Sequence, residues 1–117
     1  MRNQLRSRDG GLTWVPLAFD DALIEPVCEA SLISIGHGRL LFANPAATTR
    51  SHLTVRLSKD DGATWSASRL LYEGPSAYSS LARLTGAKIG LLYERGERSP
   101  YEQITFAQFD VYALLAR

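Results

Sequence analysis

Ser58-Lys59-Asp60-Asp61-Gly62-Ala63-Thr64-Trp65 is the stretch that decides the fold, because it has a twin. Ser7-Arg8-Asp9-Gly10-Gly11-Leu12-Thr13-Trp14 carries the same pattern, S-x-D-x-G-x-T-W, 51 residues earlier. Both tryptophans of the chain close these motifs, and five matched positions occurring twice are a poor fit to chance. The residue types describe a hairpin corner. An Asp side chain accepts hydrogen bonds from backbone N–H groups one or two residues on, and Gly permits positive φ. Thr begins the returning strand, and Trp offers a large apolar plate to pack between strands. The motif therefore reads as a structural device rather than a catalytic one.

Outward from the second motif the sequence breaks into short strands punctuated by turn residues. Ala30 to Ile35 ends at Gly36-His37-Gly38, and Arg39 to Ala43 ends at Asn44-Pro45. His52 to Leu57 alternates with period two and runs into the motif, and Thr64 to Tyr72 returns from it to stop at Glu73-Gly74-Pro75. Tyr78 to Leu84, Ile89 to Tyr93 and Gln103 to Phe109 supply three more strands. Only the tail from Val111 to Arg117 carries a helical spacing of apolar residues. The fold class is all-β. A period near 50 residues with four antiparallel strands per period is the signature of propeller blades. Residues 1–25 then form the end of one blade, 26–75 one complete blade and 76–117 three strands of another. A closed propeller has about four to eight blades, so the chain holds a partial one of about two.

Composition narrows the function classes. The 117 residues are 45% hydrophobic and 21% charged, which suits one soluble globular domain or a piece of one. A net charge of +1, with no run of four basic residues, removes the argument for a nucleic-acid partner. The single cysteine, Cys28, excludes an internal disulfide, a Cys-based zinc site and an iron–sulfur cluster. His37 lies between two glycines and His52 alternates with Leu53 on a strand, and neither has a partner at ligand spacing. No metal and no cofactor are expected. Apolar runs of four or five residues fall far short of a membrane span, and the first ten residues lack the apolar stretch of a secretion signal. Nothing in the sequence fixes the compartment.

The ordered segments resemble one family, the exo-α-sialidases (neuraminidases), whose six-bladed propellers carry these motifs as Asp boxes or BNR repeats. Asn44-Pro45 followed by Arg50-Ser51-His52-Leu53-Thr54-Val55-Arg56 resembles the segment holding the third arginine of the family's triad. Ala77-Tyr78-Ser79-Ser80-Leu81 resembles the segment with the catalytic tyrosine. Gly90-Leu91-Leu92-Tyr93-Glu94 resembles the penultimate strand, with its glutamate sixteen residues after that tyrosine. Cys28-Glu29-Ala30-Ser31-Leu32 resembles the start of the preceding blade. The match runs from Ser7 to about Phe109 and corresponds to the C-terminal third of a complete sialidase.

The resemblance implies roles. Arg50 would grip the carboxylate of sialic acid, since a guanidinium offers parallel donors that Lys lacks. Arg56 competes, but Arg50 precedes the Asp-box serine by eight residues, as in the family pattern. Tyr78 would be the nucleophile, because the anomeric carbon of sialic acid bears a carboxylate that repels an anionic attacker. A phenol stays mostly neutral until a neighbouring base takes its proton. Glu94 would pair with a triad arginine from the first blade and offset the repulsion among three cations. Glu29 should face the central cavity but is not assigned as the base. Asp20, Asp21 and Glu25 read as a turn, and Cys28 as a small buried hydrophobe. Tyr72, Tyr93, Tyr101 and Tyr112 read as core packing.

The implied activity of the intact form is retaining hydrolysis of terminal sialic acids from glycoconjugates. The implied acid/base Asp, the Glu base and two triad arginines belong to earlier blades, so the chain is expected to be a fragment inactive alone. Two alternatives stand beside this: a noncatalytic glycan-binding or interaction module, and one half of a split enzyme completed by a complementary chain. An unpaired edge from Phe106 to Phe109 would favour pairing with another chain.

Overall fold

In the computed structural model, residues 2–17 and 19–115 are described. Strands β1 (Leu5–Arg6) and β2 (Val15–Pro16) flank the first Asp box as a short antiparallel ladder, with Leu5 opposite Pro16 and Arg6 opposite Val15. Strands β3 (Ser31–Gly36), β4 (Arg39–Pro45), β5 (Ser51–Ser58), β6 (Ala67–Arg83), β7 (Lys88–Arg95) and β8 (Gln103–Asp110) follow in spatial order as in sequence, all antiparallel. A short helix α1 (Val111–Leu115) ends the described chain where helical spacing was expected. Among the described residues no helix is long and apolar enough to cross a membrane. The architecture is all-β, with two four- and three-stranded propeller-type sheets that share β6.

β6 is the main departure from expectation. Glu73-Gly74-Pro75 does not stop the strand; the chain stays extended for 17 residues. Its first half pairs with β5, from Leu57 opposite Ala67 to Ser51 opposite Pro75. Its second half pairs with β7, from Ser76 opposite Arg95 to Arg83 opposite Ile89. The register shifts on both sides, between Ser51 and Leu53 and between Ser76 and Ser79, turn the strand from one sheet into the next. Pro75 tolerates this position because its missing N–H is not needed. Its carbonyl accepts from Gly96 N–H (3.1 Å), and Ser76 N–H donates to the Arg50 carbonyl (2.9 Å). Two loops thus hang from one crossover.

The core lies between the sheets. Leu53, Val55 and Leu57 alternate along β5, meet Leu41 and Ala43 of β4, and pack with Ile35, Leu81, Ile89, Leu91 and Val111. Each such aliphatic side chain stabilises the fold by roughly 1.5–3 kcal/mol when fully buried. Phe42 points to the opposite face of β4, where it meets Trp65.

Both Asp boxes fold alike, and not as a short-range Asp turn. Ser7 Oγ accepts from Gly11 N–H (2.8 Å), and Asp9 accepts from Thr13 N–H (2.9 Å) and Thr13 Oγ1 (2.5 Å). The aspartate therefore reaches four residues forward rather than one or two, and the serine covers the intervening amides. Gly11 and Gly62 sit at φ 94° and 87°, a region closed to most L-residues.

Candidate functional site

The loop between β4 and β5 ends at Arg50, and the loop between β7 and β8 carries Tyr101. Both are drawn to one end of the sheets by the β6 crossover, through Ser76 N–H on the Arg50 carbonyl and Pro75 carbonyl on Gly96 N–H. Tyr78, two residues past Ser76, begins the inner stretch of β6 with its side chain 48% exposed. Glu94 lies near the end of β7, beside it.

Arg50 is held on three sides. Nη1–H donates to the Tyr101 hydroxyl (2.6 Å), Nη2–H donates to the Val27 carbonyl (3.3 Å), and the guanidinium carbon lies 5.7 Å from the centre of the Tyr78 ring. The Tyr101 hydroxyl, foremost, and then Cys28 favour the charged form of Arg50 and raise its pKa. The remaining guanidinium N–H groups are donors for a planar anion. Glu94 Oε1 accepts from the Tyr78 backbone N–H (3.0 Å), which ties the start of the inner strand to β7.

Two hollows meet at Tyr78. One of about 500 Å³ is walled by Arg50, Tyr78, Cys28, Glu29, Glu25 and Phe19, among others. The other, of about 290 Å³, is bounded by Tyr78, Glu29, Glu94, Leu92 and Ile104. Glu29 borders both. Burial raises the Cys28 thiol pKa, and the residue is buried as expected of a small hydrophobe. Arg2 spans the floor, with Nη2–H on the Cys28 carbonyl (2.8 Å) and an ion pair to Glu25 (3.5 Å).

Arg50, Tyr78 and Glu94, singled out from the sequence, therefore come together. Arg56 does not join them; it is half-buried behind β4, with Nη1 at 3.5 Å from Asn44 Oδ1, and burial lowers its pKa. His37 occupies the β3–β4 turn at φ 56°, and His52 is exposed at a bulge with Nδ1 at 2.8 Å from Ser51 Oγ. Asp20 forms the expected turn, accepting from Ala22 N–H (3.0 Å), and also receives Trp65 Nε1–H (3.1 Å).

Two tyrosines correct their core assignment. Tyr112 is exposed and bonded to Arg39 (2.6 Å), because α1 turns its ring outward. Tyr101 is 60% exposed and belongs to the site, because the turn of residues 96–102 carries it out over Arg50. No local signal could have found it: Tyr101 lies 51 residues from Arg50, in a turn-rich stretch that predicts only a loop.

The BNR repeat-like domain family matches residues 1–91. A sialidase of Micromonospora viridifaciens is 39% identical over 111 residues, covering 86% of this chain and 17% of its own length. Human sialidase-4 is 37% identical over 84 residues, covering 65% of this chain and 17% of its own length. Among solved structures, a Hadza microbial sialidase superposes with a TM-score of 0.79 at 36% identity, over 95% of this chain and 23% of that one. An intramolecular trans-sialidase from Ruminococcus gnavus shares the fold, with a TM-score of 0.75 at 21% identity. The chain spans about a sixth of the length of the two curated relatives.

Proposed function

This chain belongs to the sialidase family through its BNR repeat-like domain, and we propose that it carries the carboxylate-binding and nucleophilic part of a retaining exo-α-sialidase site. The observation that supports this is the convergence on Tyr78: Arg50 shares one hollow with it, and Glu94 the adjoining one. Arg50, charged and pre-oriented, receives the sugar carboxylate with its outward N–H pair. That contact sets the anomeric carbon over Tyr78.

The Tyr78 oxygen then bonds to the anomeric carbon as the glycosidic C–O bond breaks. The departing oxygen takes a proton from an acid, and the phenol proton passes to a base. Water completes the second displacement, and two inversions leave the configuration retained. In the family resemblance the acid and the base come from earlier blades, so turnover is a property of the whole protein. This chain's share is binding and attack. Glu94, through the Tyr78 backbone N–H, fixes where the attack begins. The substrate is a terminal sialic acid on a glycan.

The test is turnover of an α-linked sialoside by the native protein, with the first-formed anomer read by proton NMR. Retention is expected, and inversion would overturn the mechanism. Tyr78→Phe should abolish turnover while sparing binding. Arg50→Ala should weaken binding by about 10- to 100-fold, the worth of hydrogen bonds to a charged group. Equal binding by wild type and Arg50→Ala would sink the carboxylate assignment.

A further inference from the structure

Arg50 needs something to hold it. An arginine side chain has several rotatable bonds, and one that must be ordered by its ligand binds more weakly than one already in place. Arg50 has two fixed partners other than the Tyr78 ring: the Val27 carbonyl at 3.3 Å and the Tyr101 hydroxyl at 2.6 Å. The shorter bond is the one from a side chain, and it crosses from the β4–β5 loop to the β7–β8 loop.

The loop that presents Tyr101 is itself braced. Glu102 accepts from Arg98 N–H (2.6 Å) and Ser99 N–H (2.8 Å), and Ser99 Oγ accepts from Tyr101 N–H (3.2 Å). The Tyr72 hydroxyl donates to the Gly96 carbonyl (2.6 Å), and Gly96 N–H donates to the Pro75 carbonyl (3.1 Å). A Cβ at Gly96 would lie 1.9 Å from the Ser99 carbonyl oxygen, so the turn closes only around glycine. An exposed tyrosine on a turn this restrained is a fixed post. Its hydroxyl, accepting from Arg50, leaves the guanidinium's other edge for an anion.

We propose that Tyr101 is a positioning residue that holds Arg50 ready for a ligand carboxylate, acting across the two loops that share the β6 crossover. The proposal rests on the reading of Arg50 as the carboxylate grip. Tyr101 itself removes no proton and forms no bond to the substrate.

Tyr101→Phe deletes one exposed oxygen and leaves the ring, so the chain should fold unchanged. Two readouts separate the parts of the proposal. The guanidinium signals of Arg50 in ¹⁵N–¹³C NMR of the 117-residue chain should show restricted rotation in wild type and faster rotation in Tyr101→Phe, where only the Val27 carbonyl and the Tyr78 ring remain. Titration with free N-acetylneuraminic acid and with its carboxyl methyl ester should then show about a three- to tenfold weaker acid in Tyr101→Phe, and no change for the ester. Gly96→Ala, which displaces the post without touching its chemistry, should reproduce both effects. Unchanged Arg50 signals in Tyr101→Phe would overturn the role of Tyr101. Wild-type binding of neither probe, or equal losses for acid and ester, would overturn the carboxylate reading on which the role depends, while the NMR signals still report whether Tyr101 holds the guanidinium.

Discussion

The two Asp boxes have the same internal bonds and different surroundings. Ser58 Oγ accepts from Gly62 N–H at 2.8 Å, and Asp60 accepts from Thr64 N–H at 2.8 Å and Thr64 Oγ1 at 2.5 Å, within 0.1 Å of the first box. Beyond those bonds they part. Trp65 packs on Phe42 with ring centres 5.7 Å apart and gives its N–H to Asp20. Trp14 is 57% exposed and turns its N–H back onto the Gly11 carbonyl of its own box (3.1 Å). Ser58 is fully buried, whereas Ser7 is only half-buried. The motif thus encodes a corner autonomously. What its tryptophan does is decided by the strand that lies opposite, and Phe42 is that strand's contribution to the second box alone.

The comparison breaks most visibly at the tryptophans. Trp65→Ala should cost about 3 kcal/mol, since it removes a half-buried aromatic, its partner ring and its bond to Asp20. Trp14→Ala should cost under about 0.5 kcal/mol, the usual scale for an exposed side chain. Urea unfolding of the two variants measures both. Equal losses would mean that Trp14 is packed in solution as tightly as Trp65.

The same contrast marks what the sequence could disclose. The paired motifs, the alternation through Leu53, Val55 and Leu57, and the turn at Gly36-His37-Gly38 are local, so strand order and the all-β class could be read directly. The crossover could not: Gly74 and Pro75 look like a stop, and the groups that hold the chain extended through them, among them the Arg50 carbonyl and the Gly96 amide, lie far away in sequence. The site divides in the same way. Arg50, Tyr78 and Glu94 are singled out by resemblance to ordered segments of a family. Tyr101 was hidden, because its place is set by a braced turn and a partner distant in sequence. The reach of Asp9 and Asp60 to the fourth residue on was hidden too, since it depends on the positive φ of Gly10 and Asp61 and of the glycines that follow them.

A smaller difference is expected at the serines. In Ser58→Ala the buried Gly62 N–H loses its acceptor with no water to replace it, which should cost about 1–3 kcal/mol. In Ser7→Ala the equivalent Gly11 N–H is exposed and water can take it, so the cost should stay below about 0.5 kcal/mol. Amide exchange at Gly62 and Gly11 sharpens the point. Exchange at Gly62 should rise steeply only in its own variant, and similar rates at the two glycines in wild type would contradict the difference in burial.

The smallest effect concerns what the boxes share. The Thr13 hydroxyl and amide, then Ser7, pull the Asp9 carboxyl down from 3.8 to about 2, and Thr64 does the same in direction for Asp60. A carboxylate whose folded pKa lies below its unfolded one adds stability that is complete above the unfolded value. That stability is lost as pH falls through the folded value. Both corners should therefore hold from neutral pH through about pH 4, and the first should loosen only as pH approaches about 2. Following the Thr13 and Thr64 amide shifts through an acid titration tests this. Because both carboxylates are solvent-exposed and their causes are local bonds, both midpoints should lie below the ordinary carboxylate value despite the different burial of the tryptophans. A Thr13 midpoint near 4 would show that the first box does not keep its internal bonds without the packing that Trp65 gives the second.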